Sequence, residues 1–140
     1  MRFWDASAIV PLVLSESQAA VIIGVDKTSP MCVWWGTIVE VVSAIARRER
    51  AGTLTSAQVK HCLSRLNELA DSWVEVPPSD ALREMAQRLL RVHALRAADS
   101  LQLSAAIATS EGRPQSVEFV CRDARLAEAA AREGLTVLPA

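Results

Sequence analysis

The sequence predicts an α/β fold built on a central parallel sheet of five strands. Three observations carry that expectation. Short apolar runs alternate along the chain with longer stretches of helical periodicity. Strands separated by helices, with no hairpin between them, make parallel crossover connections. The chain has 140 residues, 51% of them hydrophobic, which is one domain of ordinary size with ample material for a core.

The elements follow in order. Arg2-Phe3-Trp4 is a first short strand. Ala8 to Leu14 and Gln18 to Val25 read as helical, broken near Pro11 and the Ser15-Glu16-Ser17 stretch. Met31-Cys32-Val33 is a second strand. Ile38 to Arg50 is a helix whose stripe is Ile38, Val41, Val42 and Ile45. Its basic end, Arg47, Arg48 and Arg50, suits the negative end of the helix dipole, and Gly52 stops it. Ser56 to Ala70 is a further helix with Thr55 as its cap. Trp73 to Val76 is a third strand, closed by Pro77-Pro78. Ser79 to Val92 and Ala97 to Ser110 are helices. Glu118 to Cys121 is a fourth strand, Ala124 to Glu133 the last helix, and Thr136 to Leu138 a fifth strand after Gly134.

Bulk composition excludes little and suggests less. The net charge is −1, so nucleic-acid binding needs a local patch or a metal rather than a basic surface. Cys32, Cys62 and Cys121 are irregularly spaced and, with His61 and His93, complete no zinc pattern; they are expected to be buried, reduced thiols. Asp5 stands where a signal peptide needs an apolar core, and no apolar run reaches the roughly 20 residues of a membrane span. The expectation is a soluble, cytoplasmic protein with no membrane partner.

Four acids share a position type. Asp5 and Asp123 directly follow the first and fourth strands, Glu40 lies in the first turn of the helix after the second, and Asp99 opens the Ala97 helix. Each has an ordinary structural reading. Asp5 and Asp123 are good N-caps, Thr37 to Glu40 has capping-box spacing, and Asp99 complements the helix dipole. Glu40 also lies off the apolar stripe, as a solvated residue does. Topology allows a second reading. In a parallel sheet the strand ends and the following helix starts share one edge, where ligands bind. Carboxylates gathered there repel one another, and a hard divalent cation with oxygen ligands relieves that repulsion. A carboxylate-held Mg²⁺ or Mn²⁺ suits phosphodiester hydrolysis.

Four segments carry a resemblance. "FWDASAIVPL", "GTIVEVVSAIAR", "LRAADSLQLSAAIA" and "FVCRDARLAEAAAREGLTVL" are similar, in order and spacing, to the motifs of the PIN-domain family, and within it of the VapC-type toxin ribonucleases of bacterial toxin–antitoxin pairs. The likeness covers nearly the whole chain. It implies a single PIN domain over 1–140, with the three-layer α/β/α architecture and mostly parallel sheet of that family. It also implies a metal-dependent endoribonuclease in which Asp5, Glu40, Asp99 and Asp123 ligate Mg²⁺ or Mn²⁺, Asp123 directly or through water. Ser7 would orient a metal-bound water or the phosphate, or bond the backbone. The implied partners are an RNA substrate, a cognate VapB-like antitoxin and a second copy of the chain. For the dimer, Ala97, Ala98, Ala105, Ala106 and Ala108 offer close helix approach.

One departure stands out. The family's closing motif usually carries a hydroxyl residue two before its aspartate, and here that position is Cys121. Arg96, Arg122 and Arg125 are the arginines near enough in sequence to meet RNA phosphates, and Trp34-Trp35 is read first as core and second as a base-stacking pair. A phosphoacceptor receiver domain would need paired acids after the first strand, and a haloacid-dehalogenase-like phosphatase would need a second acid at Ser7. The remaining alternative is a PIN-like module that binds RNA or protein without cutting.

Overall fold

The computed structural model describes residues 1–14 and 29–139. Among them, β1 (Arg2–Trp4), β2 (Cys32–Trp34), β3 (Val74–Val76), β4 (Glu118–Cys121) and β5 (Thr136–Pro139) form one sheet in the order β3-β2-β1-β4-β5. Every neighbouring pair is parallel. The helices are α1 (Ala6–Val13), α2 (Thr37–Arg50), α3 (Ser56–Ala70), α4 (Asp80–Val92), α5 (Ala97–Thr109) and α6 (Ala124–Arg132), with a 3₁₀ turn at Pro114–Ser116.

Alternation along the strands makes the layers. Phe3, Cys32, Trp34, Phe119 and Cys121 face one side, where they pack with Leu82 and Leu89 of α4, Leu103 of α5 and Leu126 of α6. Trp4, Val33 and Val120 face the other, against Ile9 and Val13 of α1, Val41 and Ile45 of α2, and Cys62 and Leu66 of α3. Both faces are covered, as an all-parallel sheet requires. The Phe3 and Phe119 rings stack at 5.8 Å between centroids, at the middle of the sheet.

Strand order carries the functional consequence. The chain runs outward from β1 through β2 to β3, then returns past β1 to β4 and β5. The order therefore reverses between β1 and β4, the switch point at which ligands bind in open α/β sheets. Asp5 ends β1 and Asp123 follows β4, so two of the four acids flank it.

Boundaries move where local chemistry decides them. α1 begins at Ala6, two residues before the periodicity predicts, because the Asp5 side chain caps it. β2 lies one residue later than expected and takes in Trp34. Thr55 caps α3 as expected, in a full capping box with Gln58. The Gln18 to Val25 helix lies outside the described residues. The three cysteines are buried and free. Among the described residues no helix is long and apolar enough to cross a membrane. The alanines of α5 divide: Ala105 and Ala106 are buried in the chain's own core, whereas Ala97, Ala98 and Ala108 are exposed.

The stacked Phe pair makes a prediction. Phe119→Ala should lower stability by about 3–5 kcal/mol, seen as a lower urea midpoint with an unchanged slope. A loss under about 1 kcal/mol would show that the middle of the sheet is not where stability resides.

Candidate active site

Asp5 is buried at the end of β1, and its amide continues the ladder to Val120 O at 3.0 Å. Its Oδ2 accepts from the Ser7 amide at 3.1 Å and from Ser7 Oγ at 2.5 Å. Ser7 Oγ in turn accepts from the Arg122 amide at 2.9 Å. One hydroxyl thus joins the β1 end to the β4 end. Ser7 thus bonds the backbone at Arg122 and holds Asp5 directly. Burial, the largest influence, pushes the Asp5 carboxyl above its ordinary range, while the Ser7 bonds oppose the shift and the charge of Asp99 adds to it.

Glu40 points inward rather than into solvent. Its Oε2 accepts from Gln102 Nε2 at 2.7 Å, and the same amide donates to Thr37 Oγ1 at 2.9 Å. Thr37 is therefore not the cap of α2. Gly36 holds that position without a side-chain bond, and the expected Thr37–Glu40 capping box is replaced by a bridge to α5. Burial lifts the Glu40 carboxyl to about 7, with the Gln102 bond opposing and the charges of Asp5 and Asp99 contributing. Gly36 is fixed by packing: a Cβ there would lie 2.5 Å from Trp34 Nε1.

Asp99 sits in the first turn of α5, half-buried, and accepts from the Arg96 amide at 3.4 Å. Burial raises its carboxyl and the charge of Asp123 adds to this, while Arg96 opposes it. Asp123 is exposed and caps α6, its Oδ1 accepting from the Leu126 amide at 2.9 Å. The sequence-predicted acids thus form one electrostatic group: Asp5, Glu40 and Asp99 bear on one another, and Asp123 bears on Asp99. Among the described residues, no three acids, histidines or thiols yet stand close enough to clasp one ion. The acids line a shared edge instead.

Cys121 fills the position where a hydroxyl is usual. The Asp123 amide donates to its Sγ at 3.3 Å, and Sγ lies 3.4 Å from Asp123 O and 3.8 Å from Asp5 Oδ2. Burial and the nearby Asp5 charge push the thiol up to about 12, so it stays protonated. The thiol thereby supports both acid-bearing loops.

Gln102 is the residue sequence reasoning missed. It is fully buried, on the face of α5 that also carries Asp99 three residues earlier. A long polar side chain one turn after a candidate acid, on an otherwise apolar helix face, was the signal. Trp34 and Trp35 part company: Trp34 is core, whereas Trp35 is exposed and meets it edge-on at 6.2 Å. Arg96, Arg122 and Arg125 are all exposed around the acids, and Arg96 and Arg125 line a cleft that also contains Asp99 and Asp123.

No family model matches the chain. Two relatives from Mycobacterium tuberculosis, Ribonuclease VapC45 (strain CDC 1551 / Oshkosh) and Ribonuclease VapC49 (strain ATCC 25618 / H37Rv), are each 31% identical to it over 148 residues, covering 99% of this chain and 94% of their own length. A toxin-antitoxin complex from Klebsiella pneumoniae contains a chain of the same fold, with TM-score 0.68 at 14% identity, covering 99% of this chain and 96% of that one.

Glu40 makes the site's pH dependence testable. A carboxyl at about 7 in the folded chain and near 4.5 in the unfolded one binds its proton more tightly when folded. Its contribution to stability is complete below 4.5 and is lost as pH rises through 7. In excess EDTA the melting temperature of the wild type should fall, relative to Glu40→Gln, between pH 5 and pH 8. A difference that stays constant across that range contradicts the assignment.

Proposed function

The chain belongs to the VapC ribonuclease family, and from that premise we propose that it is a toxin endoribonuclease whose cutting depends on a divalent cation and whose activity a partner antitoxin restrains. The observation that carries the reading is the electrostatic group of Asp5, Glu40, Asp99 and Asp123 at the switch-point edge of the parallel sheet. The relatives are named ribonucleases, which favours cutting over binding alone.

The donor set fits a hard cation. All four groups offer oxygen, and burial, with a smaller contribution from the charges of Asp5 and Asp99, makes Glu40 retain a proton up to about 7, a cost that a bound cation would relieve. Asp5, Glu40 and Asp99 would hold Mg²⁺ or Mn²⁺, with Asp123 completing the set. When bound, the ion supplies a polarised phosphate oxygen and a water acidic enough to attack near neutral pH. The rest falls to the protein's own groups. Ser7 fixes the Asp5 carboxylate by donating to Oδ2. Gln102 holds Glu40 by donating to Oε2, so this acid faces the site in one orientation. Glu40 must shed its proton to serve as a ligand, so binding the ion releases that proton and the affinity for the ion should rise with pH up to about 7. Arg96, Arg122 and Arg125 would meet RNA phosphates on either side of the acids and offset their repulsion of the strand.

The structural neighbour is a toxin-antitoxin complex, which supports an antitoxin partner here. An arginine or lysine on the partner's arm is suited to the acid edge, because it replaces the missing positive charge. A homodimer is the further reading. Of the α5 alanines only Ala97, Ala98 and Ala108 remain exposed for it, so a monomeric mass by light scattering at micromolar concentration counts against it.

The decisive test is RNA cleavage with and without metal. EDTA should stop it and Mg²⁺ or Mn²⁺ restore it, with no need for Zn²⁺. Asp5→Asn and Asp99→Asn should each lower the rate more than about a hundredfold while leaving the melting curve cooperative, and Asp123→Asn should cost less. Cleavage unchanged in excess chelator would reject the metal centre.

A further inference from the structure

Beside Asp99 and Asp123 opens a cleft of about 750 Å³ that the four acids do not by themselves explain. It is lined by Leu90 near the end of α4, by His93, Ala94 and Leu95 of the short turn that follows, and by Ala124 and Arg125 at the start of α6. Arg96, three residues before Asp99, lines it as well. The volume falls in the usual range for a small-molecule or nucleotide-sized ligand site.

The wall is built and held. The His93 amide donates to Leu89 O at 2.9 Å and the Leu95 amide to His93 O at 3.0 Å, so the turn is tightly wound. The His93 ring is buried beneath it, 3.4 Å from Glu133 Oε2, and Glu133 is also paired with Arg88. This contact ties the turn to the C-terminal end of α6, the helix whose first residues line the cleft. Above that anchor, Leu90 is 40% exposed, an apolar side chain turned out of the core at the rim of a polar site. Among the described residues neither Arg96 nor Arg125 is in a salt bridge.

An apolar wall facing two exposed guanidinium groups matches the two faces of a nucleotide. The flat base wants apolar or guanidinium surface on which to stack, and its phosphates want arginine. Asp99 and Asp123 line the same cleft, so an occupant lies beside the acids themselves. We propose that this cleft is a specificity subsite: it seats one unstacked ribonucleotide next to the bond to be cut, with its base against Leu90, Ala94 and Leu95 and its phosphates between Arg96 and Arg125. The proposal rests on the endoribonuclease reading and adds to it the residues that choose where the RNA is cut.

The test fills the cleft without touching the acids. Ala94→Trp plugs it, and Leu90→Gln makes its apolar rim polar at a surface position. A 5′-fluorescent RNA of 20 nucleotides with randomised sequence is the substrate, and the readouts are KM, kcat and the base frequencies flanking the cut. Ala94→Trp should raise KM about tenfold with a smaller change in kcat, and both variants should flatten the base preference on one side of the cut. Folding is checked by melting curves, and Leu90→Gln decides the matter alone if Ala94→Trp does not fold. Unchanged KM and unchanged base frequencies in a folded variant overturn the subsite. So does unchanged RNA cleavage with weakened antitoxin inhibition, which would assign the cleft to the protein partner. Asp99→Asn, run in parallel, separates the two levels: if it still cleaves, the nuclease assignment has failed, and if it is dead while Ala94→Trp behaves as wild type, only the subsite has.

Discussion

Carboxylates that repel one another must be held at one edge of a sheet, and much of this molecule is arranged to do so. Water would separate Asp5, Glu40 and Asp99, because each gains by moving its charge away from the others. The chain opposes this with directed hydrogen bonds, short at Asp5 and Glu40 and longer at Asp99. Ser7 grips Asp5, Gln102 grips Glu40, and the Arg96 amide grips Asp99. Burial adds to the repulsion, and Glu40 keeps its proton to about 7. Asp5 also caps α1, but Glu40 and Asp99 lie inside the first turns of their helices, and acids confined in this way suit the cation proposed above.

The parallel sheet makes the confinement possible at little cost in chain length. The strands are three or four residues long, yet every one of them ends on the same side. An acid placed directly after β1 and another two residues after β4 flank the switch point without any long loop. Glu40 and Asp99 reach the same edge from the first turns of α2 and α5. α5 contributes twice, because Gln102 lies on the same helix as Asp99 and carries the bond to Glu40. One helix thereby bears one acid and positions another.

What could be read from the sequence divides along the same lines. Alternating short strands and helices, and acids at helix starts, are one-dimensional patterns, so the fold class and the four acids were visible in them. Element boundaries shifted where side chains intervened, as at Ala6, where Asp5 brings the helix start forward. Glu40 was misread in its surroundings. Its position off the apolar stripe suggested solvent, but the partner that draws it inward is 62 residues away on α5, and no local pattern contains that distance. The same holds for Thr37: the helix takes Gly36 as its cap, one residue before the capping spacing predicts, and the Thr37 hydroxyl accepts from Gln102 instead. The division of Trp34 from Trp35 was equally hidden, since adjacent residues on a strand end face opposite ways only once the strand has a place in the sheet.

The hydroxyl of Ser7 has a consequence beyond holding one acid. It donates to the Asp5 carboxylate and accepts from the amide of Arg122, a residue 115 positions along the chain. Hydrogen bonds in series polarise one another, so a change of charge on the carboxylate alters how strongly the hydroxyl draws on that amide. The state of a buried acid is thereby written onto a backbone proton at the molecular surface, beside a side chain that faces outward. The fold carries its own reporter, and an observer listening at Arg122 hears what happens at Asp5.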